Sequence, residues 1–387
     1  MKIKNLKKID NFLGSILLIF FWPLAFVLSK FLSQLGPGKN QICVLKILGG
    51  GSLLMAYPAL VGIKERHLDK KLILVCSKEV YEFSKLTNIF DTVYTINTNS
   101  VFSLGTSTLT ALKGTINSGI LINLEMHSKA CAIFSLLTLS RKRVALFQTW
   151  NKWQKNYINH PIFFNSHSPI YGGYEQICHY LNGKVPSFVS SKALFSSFLP
   201  PLLPDNKETH GYIVGLAPFC SDLCSERAFY ISDFVRIVHN QTSLFTGELS
   251  EIRIYGGAAD YIKSQVFVSE LGMSFPNVPI INLVGKLSLI ELAQELRSIK
   301  LLITIDSGVN HLARLLDTRI ASYWGPTDPA LYLKEIDISI EKIFYQKIPC
   351  SPCVHITESP PCNGDNVCLK QFLYPNLETK RIWEIKS

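Results

Sequence analysis

Asp306, Ser307 and His311 are the residues whose types and spacing best suit chemistry; they lie in the run ITIDSGVNHLARLLDTRIASYWGPTDP, Ile303 to Pro329. Leu301 to Ile305 is an apolar run of strand length, and Asp306-Ser307-Gly308 breaks it. Val309 to Leu316 then reads as a short helix before a second strand, Ile320 to Tyr323. A strand, a small-residue turn and a helix start make an anion site, because free backbone N–H groups and the positive end of the helix dipole converge on the turn. Gly308 lets a ligand approach the backbone, while Ser307 and His311 add side-chain donors. Asp306, at the strand's carboxyl end, is placed to accept from sugar hydroxyls. The expected ligand is a diphosphate-linked sugar. Taken alone, Asp306 and Ser307 could equally cap a helix, and His311 could fill a core.

The run D-S-G-x-x-H-L-A followed by G-P-T-D-P resembles the donor-site signature of glycosyltransferase family 9, the lipopolysaccharide heptosyltransferases. The similarity extends from about Cys43 to Cys368. A second run, K-I-L-G-G-G-S-L-L-M-A-Y-P-A-L, is similar to that family's opening motif. Lys46 stands where the family usually has arginine, and Ser52 where it usually has a catalytic aspartate. The resemblance implies an α/β chain of GT-B type, with two Rossmann-like domains facing a cleft. It also implies inverting, metal-independent sugar transfer with no cofactor required for catalysis, and the sequence has no D-x-D run to hold a catalytic metal.

Sugar transfer to a hydroxyl needs a general base within hydrogen-bond reach of the acceptor, and serine cannot take a proton unaided near neutral pH. Ser52 is left to cap a helix or bind the acceptor. Gly119 to Leu124 reads as a strand with Glu125 and His127 at its carboxyl end, where ligands of open parallel sheets gather. The family more often has glutamine at the position of Glu125, so this chain gains a carboxylate after losing one. Glu125 is the candidate base and His127 the alternative. Gln41 to Leu48 is a buried-strand pattern that Gly49-Gly50-Gly51 turns into a helix near Ser52, which makes Lys46, Gly50 and Gly51 the candidate residues of this turn. The spacing is not G-x-G-x-x-G, which argues against a dinucleotide cofactor.

Phe198 to His210 carries three prolines and a polar tail, the strongest linker signal in the chain. Beyond it Tyr212 to Ala217 starts a new strand, and the family's phosphate-binding hydroxyl and basic residue are best matched by Ser221 and Arg227. Glu251 to Tyr255 ends in Gly256-Gly257, where a nucleotide could pass close to the backbone. Strands and helices alternate in both halves, which predicts parallel sheets. The expected boundaries are a membrane-associating segment at 1–39 and an acceptor domain at 40–200. A linker at 201–210 leads to a donor domain at 211–345 and a Cys-rich loop with a final helix at 346–387, packed back on the first domain.

Phe12 to Leu28 contains seventeen residues without a charge, preceded by Lys2, Lys4, Lys7 and Lys8. It is marginal for a spanning helix, has Pro23 in its middle, and lacks a good signal-peptide cleavage site. A helix that re-enters or lies in the interface fits best, on the cytoplasmic face of the inner membrane. The net charge of +10 has no basic run beyond the first residues, so anionic lipid or a phosphorylated substrate explains it and no nucleic-acid partner is expected. Ten cysteines without a cleavable signal read as reduced thiols. Cys350, Cys353, Cys362 and Cys368 lie in a Pro-rich stretch and could hold a structural zinc. The aromatic-rich segment from Trp150 to Tyr180 suits either a sugar- or lipid-facing surface or ordinary core.

The leading function is transfer of a sugar, heptose among the candidates, from a nucleotide diphosphate sugar to a glycolipid or oligosaccharide acceptor such as lipopolysaccharide. The alternative is a membrane-attached pseudo-transferase that binds nucleotide or glycan without chemistry, as Ser52 suggests.

Overall fold

Apolar runs alternating with amphipathic stretches fold into two six-stranded sheets whose pairings are all parallel. The computed structural model describes residues 10, 12, 14–23, 27, 38–201, 211–220, 225–354, 356–357, 360, 362 and 365–373, without the side chains of Trp150, Lys152 and Ser225. The chain divides into two units, Met1–Ser191 and Lys192–Ser387, each with its own sheet.

In the first unit the strands are β1 (Lys39–Lys46), β2 (Lys71–Ser77), β3 (Thr92–Ile96), β4 (Ser118–Asn123), β5 (Lys142–Phe147) and β6 (His160–Phe163), in the order β3-β2-β1-β4-β5-β6. The second unit has β7 (Tyr212–Ala217), β8 (Leu249–Ile254), β9 (Ile280–Asn282), β10 (Leu301–Ile305), β11 (Ile320–Trp324) and β12 (Glu341–Tyr345). Their order, β12-β11-β10-β7-β8-β9, repeats that of the first sheet when counted from β7. Both are the doubly wound Rossmann-like plan the sequence predicts. In each sheet the order reverses beside the first strand, between β1 and β4 and between β7 and β10. The loops leaving those strands diverge to opposite faces, which opens a crevice at their carboxyl ends.

The central strands are buried on both faces, as their Val/Ile/Leu-rich sequences require. Helices α1 (Gly50–Arg66), α2 (Lys78–Thr87), α3 (Val101–Thr115), α4 (Lys129–Leu137), α5 (Ile170–Tyr180) and α6 (Phe188–Ser197) follow in order. Ala111 of α3 joins Cys131 and Phe134 of α4 in one cluster against Cys43, Leu45 and Leu121, so α3 and α4 cover the same face of the first sheet. Tyr157, Phe164 and Tyr174 are buried, which assigns these members of the 150–180 aromatic segment to the core. Residues 14–23 are helical, and among the described residues no helix is long and apolar enough to cross a membrane.

The second unit adds α7 (Ile231–Thr242), α8 (Tyr261–Ser274), α9 (Leu289–Ser298), α10 (Gly308–Leu315) and α11 (Val367–Lys370). Cys368 and Leu369 of α11 are part of this unit's core, with Phe372 and Leu373 packed on it. That places the first turns after the Cys-rich loop on the second unit; residues 374–387 of the expected final helix, and 202–210 of the expected linker, lie outside the described residues.

Beneath the 306–311 turn, α10 is fixed to β12 by a buried ion pair. Arg314 donates from Nε to Glu341 Oε2 at 2.6 Å and from Nη2 to Oε1 at 3.2 Å. Removing one partner of a buried pair strands the other charge. Glu341→Leu is therefore expected to lower unfolding free energy in urea by about 3–5 kcal/mol, whereas Arg314→Met/Glu341→Leu together should cost clearly less. Equal losses in the two variants would show that the charges do not depend on each other.

Candidate functional site

The carboxyl end of β10 delivers Asp306, which is buried yet paired on both sides. Arg227 Nη1 lies 3.3 Å from Asp306 Oδ2, and His311 Nε2 lies 3.9 Å from Asp306 Oδ1. Arg227 comes from the long loop between β7 and α7, so the pair joins loops on either side of the order reversal in this sheet. Thr304 ties the two strands just below, donating to the Ala217 carbonyl at 3.1 Å.

Ser307 occupies the N-cap of α10 in extended conformation (φ −151°, ψ 168°), but its side chain makes no cap hydrogen bond. Its hydroxyl stands 3.5 Å from Thr304 Oγ1 instead. By contrast, Ser77, Ser100, Ser128 and Ser288 do cap α2, α3, α4 and α9 through their side chains. The first-turn amides of α10 thus receive no side-chain cap from Ser307, the arrangement in which a helix start can accept an anion. The Asn310 side chain is 1% exposed, and neither its amide nitrogen nor its oxygen has a hydrogen-bond partner among the described residues. Thr327 Oγ1, in the loop after the adjacent β11, is likewise buried without one. Such orphaned groups cost roughly 1–3 kcal/mol each. Asn310 escaped the sequence reading; a polar amide inside an apolar helix pattern was the signal for it.

His311 is buried among charged neighbours. Desolvation drives its imidazole down to about 4; the Asp306 carboxylate opposes this, and Arg314 and Arg227 reinforce it. At neutral pH it is a neutral ring that can donate one hydrogen bond. Gly308 is half-buried at the start of the helix. Gly256 is explained by packing, since a Cβ there would come within 2.6 Å of the Phe219 ring. Ser221 lies outside the described residues.

At the order reversal of the first sheet, Glu125 follows β4 and reaches across to β1. Its Oε1 accepts from Lys46 Nζ at 2.9 Å and from the backbone amides of Ile47 and Leu48, each at 2.8 Å. Oε2 takes none of these bonds. Lys46 and Glu125 form a largely buried pair that fixes the loop entering α1. Gly49 in that loop has φ 77°, a conformation glycine adopts without strain, and Gly50 lies so close to Phe83 that a Cβ would sit 1.9 Å from the ring. Gly51 and Ser52 open α1, and the Ser52 hydroxyl donates to the Gly49 carbonyl at 2.6 Å. His127 is exposed two residues beyond Glu125. The structure therefore brings Lys46, Glu125 and the glycine turn together, and separately Arg227, Asp306, Ser307 and His311.

Cys350, Cys353, Cys362 and Cys368 are free thiols, and among the described residues no group of three or more His, Cys, Asp or Glu is arranged to hold a metal ion. Nothing in the arrangement of the described residues supports the zinc site that their spacing suggests. Burial, reinforced by the neighbouring thiols of the same stretch, pushes the Cys353 thiol up to about 11 and that of Cys368 to about 12.

The fold class thus defined, a pair of doubly wound parallel sheets, is shared with solved glycosyltransferases. The Escherichia coli ADP-heptose lps heptosyltransferase II superposes with a TM-score of 0.58 at 14% identity, over 79% of this chain and 91% of that one. A glycosyl transferase family 9 protein from Veillonella parvula gives 0.62 at 13% identity, over 88% and 97%. The E. coli heptosyltransferase WaaC with ADP gives 0.59 at 15% identity, over 87% and 99%. Within the second unit, residues 246–363 match the family described as glycosyltransferase family 9 (heptosyltransferase). No curated protein matches the chain.

The His311 environment has a consequence for stability. Unfolding returns the ring to its ordinary value of 6.5, so between 6.5 and about 4 the unfolded chain binds a proton that the folded chain does not. The contribution is intact above pH 6.5 and falls away as pH drops towards 4, by roughly 3 kcal/mol in all. Urea unfolding of wild type and His311→Gln from pH 7.5 to 4.5 should show a flatter acid slope in the variant. Parallel slopes would mean that the ring is not held neutral.

Proposed function

We propose that the chain is an inverting, metal-independent glycosyltransferase that moves a sugar from a nucleotide diphosphate sugar to a membrane-linked glycan. The observation that carries this reading is the Arg227–Asp306–His311 cluster beside the uncapped start of α10. Arginine and helix amides suit a diphosphate: the planar guanidinium makes paired hydrogen bonds, and the dipole stabilises the charge that builds on the leaving group. A neutral His311 donates a proton-bearing nitrogen without adding a second buried cation. Asp306 accepts from donor hydroxyls, and the orphaned Asn310 and Thr327 groups gain partners when a polar ligand docks. The match of residues 246–363 to the family 9 description supports the same assignment, with heptose the first sugar to test.

In this reading Glu125 takes the acceptor proton through Oε2, with Oε1 held by Lys46 and two amides, and His127 stands by as the alternative. The second reading, a pseudo-transferase, also has an observation behind it. The Ser52 hydroxyl is turned onto its own loop carbonyl, and half of the Glu125 carboxylate is committed to holding a loop.

Two variants test these assignments. Arg227→Ala should weaken binding of a nucleotide diphosphate sugar about ten- to a hundred-fold by calorimetry, since a charge-assisted hydrogen bond contributes roughly 1.5–3 kcal/mol. Undiminished affinity would remove the donor site from this loop. Glu125→Gln keeps the acceptor oxygen that Lys46 and the amides use, so it should bind donor normally and lose transfer. Full turnover in that variant discards the base assignment, and a wild-type chain that binds donor but never transfers it is the pseudo-transferase.

A further inference from the structure

The helix at 14–23 lies along the first unit instead of projecting from it. Asp10 accepts from the amides of Lys129 and Ala130 at 3.0 and 2.7 Å, so its carboxylate caps α4. Lys129 donates to Ser15 at 2.7 Å, and Tyr157 donates to the Leu18 carbonyl. Gly14 permits the approach, since a Cβ there would meet Lys129 Cβ at 2.7 Å. Leu18 and Phe21 pack on Ala132, Ile133 and Leu136. Positions 14, 18 and 21 form one helical stripe against the protein.

The other side is equally apolar and faces outward. Phe12, Ile16, Ile19 and Phe20 recur at helical spacing, with Ile19 77% and Phe20 74% exposed. The same layer carries a second such surface, because α3 shares a sheet face with α4 and exposes Val101 (88%) and Phe102 (80%). Residues 92–112 contain no charge. Isolated exposed apolar residues are ordinary, but an apolar helix face with further exposed apolar side chains at the start of α3 on the same side of a sheet is not.

Charge indicates what covers them. Lys2, Lys4, Lys7 and Lys8 precede the helix, and Asp10 is the only acidic residue before Glu65. That one carboxylate is already spent on α4. A basic segment leading into an apolar, aromatic helix face suits anionic lipid head groups above acyl chains.

We propose that this face is a membrane-docking surface, on which Phe12, Ile16, Ile19 and Phe20 insert side-on into an anionic bilayer and Val101 and Phe102 of α3 extend the contact. The capped start of α4 lies just beyond the Glu125 loop, so the bilayer borders the edge where a lipid-linked acceptor would arrive. The inference rests on the proposed function only for that delivery; docking itself is read without any transfer.

Co-sedimentation of the full chain with phosphatidylglycerol-containing vesicles tests it. Wild type should pellet with these and far less with phosphatidylcholine alone. Phe12→Ser/Ile16→Ser/Phe20→Ser should lose binding about ten-fold or more while keeping its nucleotide affinity, because the three residues are 70%, 53% and 74% exposed. As a check needing no disruptive change, brominated acyl chains should quench wild-type fluorescence more than that of Trp22→Phe. Unaltered pelleting of the triple variant, or no quenching difference, overturns the proposal. So does a wild type that ignores anionic vesicles but self-associates through this face.

Discussion

A buried carboxylate at the end of a buried strand must be answered by a cation, and that constraint organises the second unit. Asp306 leaves β10 where hydrocarbon surrounds the backbone, and burying such a charge alone would be prohibitive. Arg227 answers it from the loop after β7. The pairing draws a long loop across the order reversal and sets a guanidinium beside the amides of α10 before any ligand arrives. In the proposed transfer, preorganisation of this kind spares the reorganisation that water would otherwise demand as charge develops.

The same turn gives up local stability. Ser307 forgoes the cap that four other serines supply to their helices, and Asn310 and Thr327 keep buried polar atoms without a partner among the described residues. The Arg314–Glu341 pair and the fully buried β10 and β11 hold the framework against that loss. The first unit uses its equivalent position differently. There the carboxylate of Glu125 reaches back to Lys46 and two amides, so one oxygen of one side chain fastens the glycine turn and the other takes none of these bonds.

Much of this was legible in the sequence where local pattern and tertiary demand agree. Leu301–Ile305 and Tyr212–Ala217 were readable as strands to the residue, because strands covered on both faces need unbroken apolar runs. Helix α3 gave no such signal: its only charge is Lys113 in the last turn, so little 3.6-residue contrast marks it. The three-residue β9 is too short to carry a pattern of its own. Residue types at the site were readable, but their states were not. The 79-residue separation of Lys46 and Glu125 and the neutrality of His311 both arise from packing that no local window contains. The cysteine spacing carries less, since spacing reports proximity along the chain and not a tetrahedral arrangement, and no metal-holding group is found among the described residues.

The central claim is that a diphosphate seats against the start of α10, within reach of His311. Nuclear magnetic resonance of the His311 ring during titration with a nucleoside diphosphate tests this most directly. The account predicts saturable shifts of that ring, a rise in its pKa as the anion arrives, and no response to the nucleoside alone. Calorimetrically detected binding that leaves the His311 resonances and titration unchanged would contradict it.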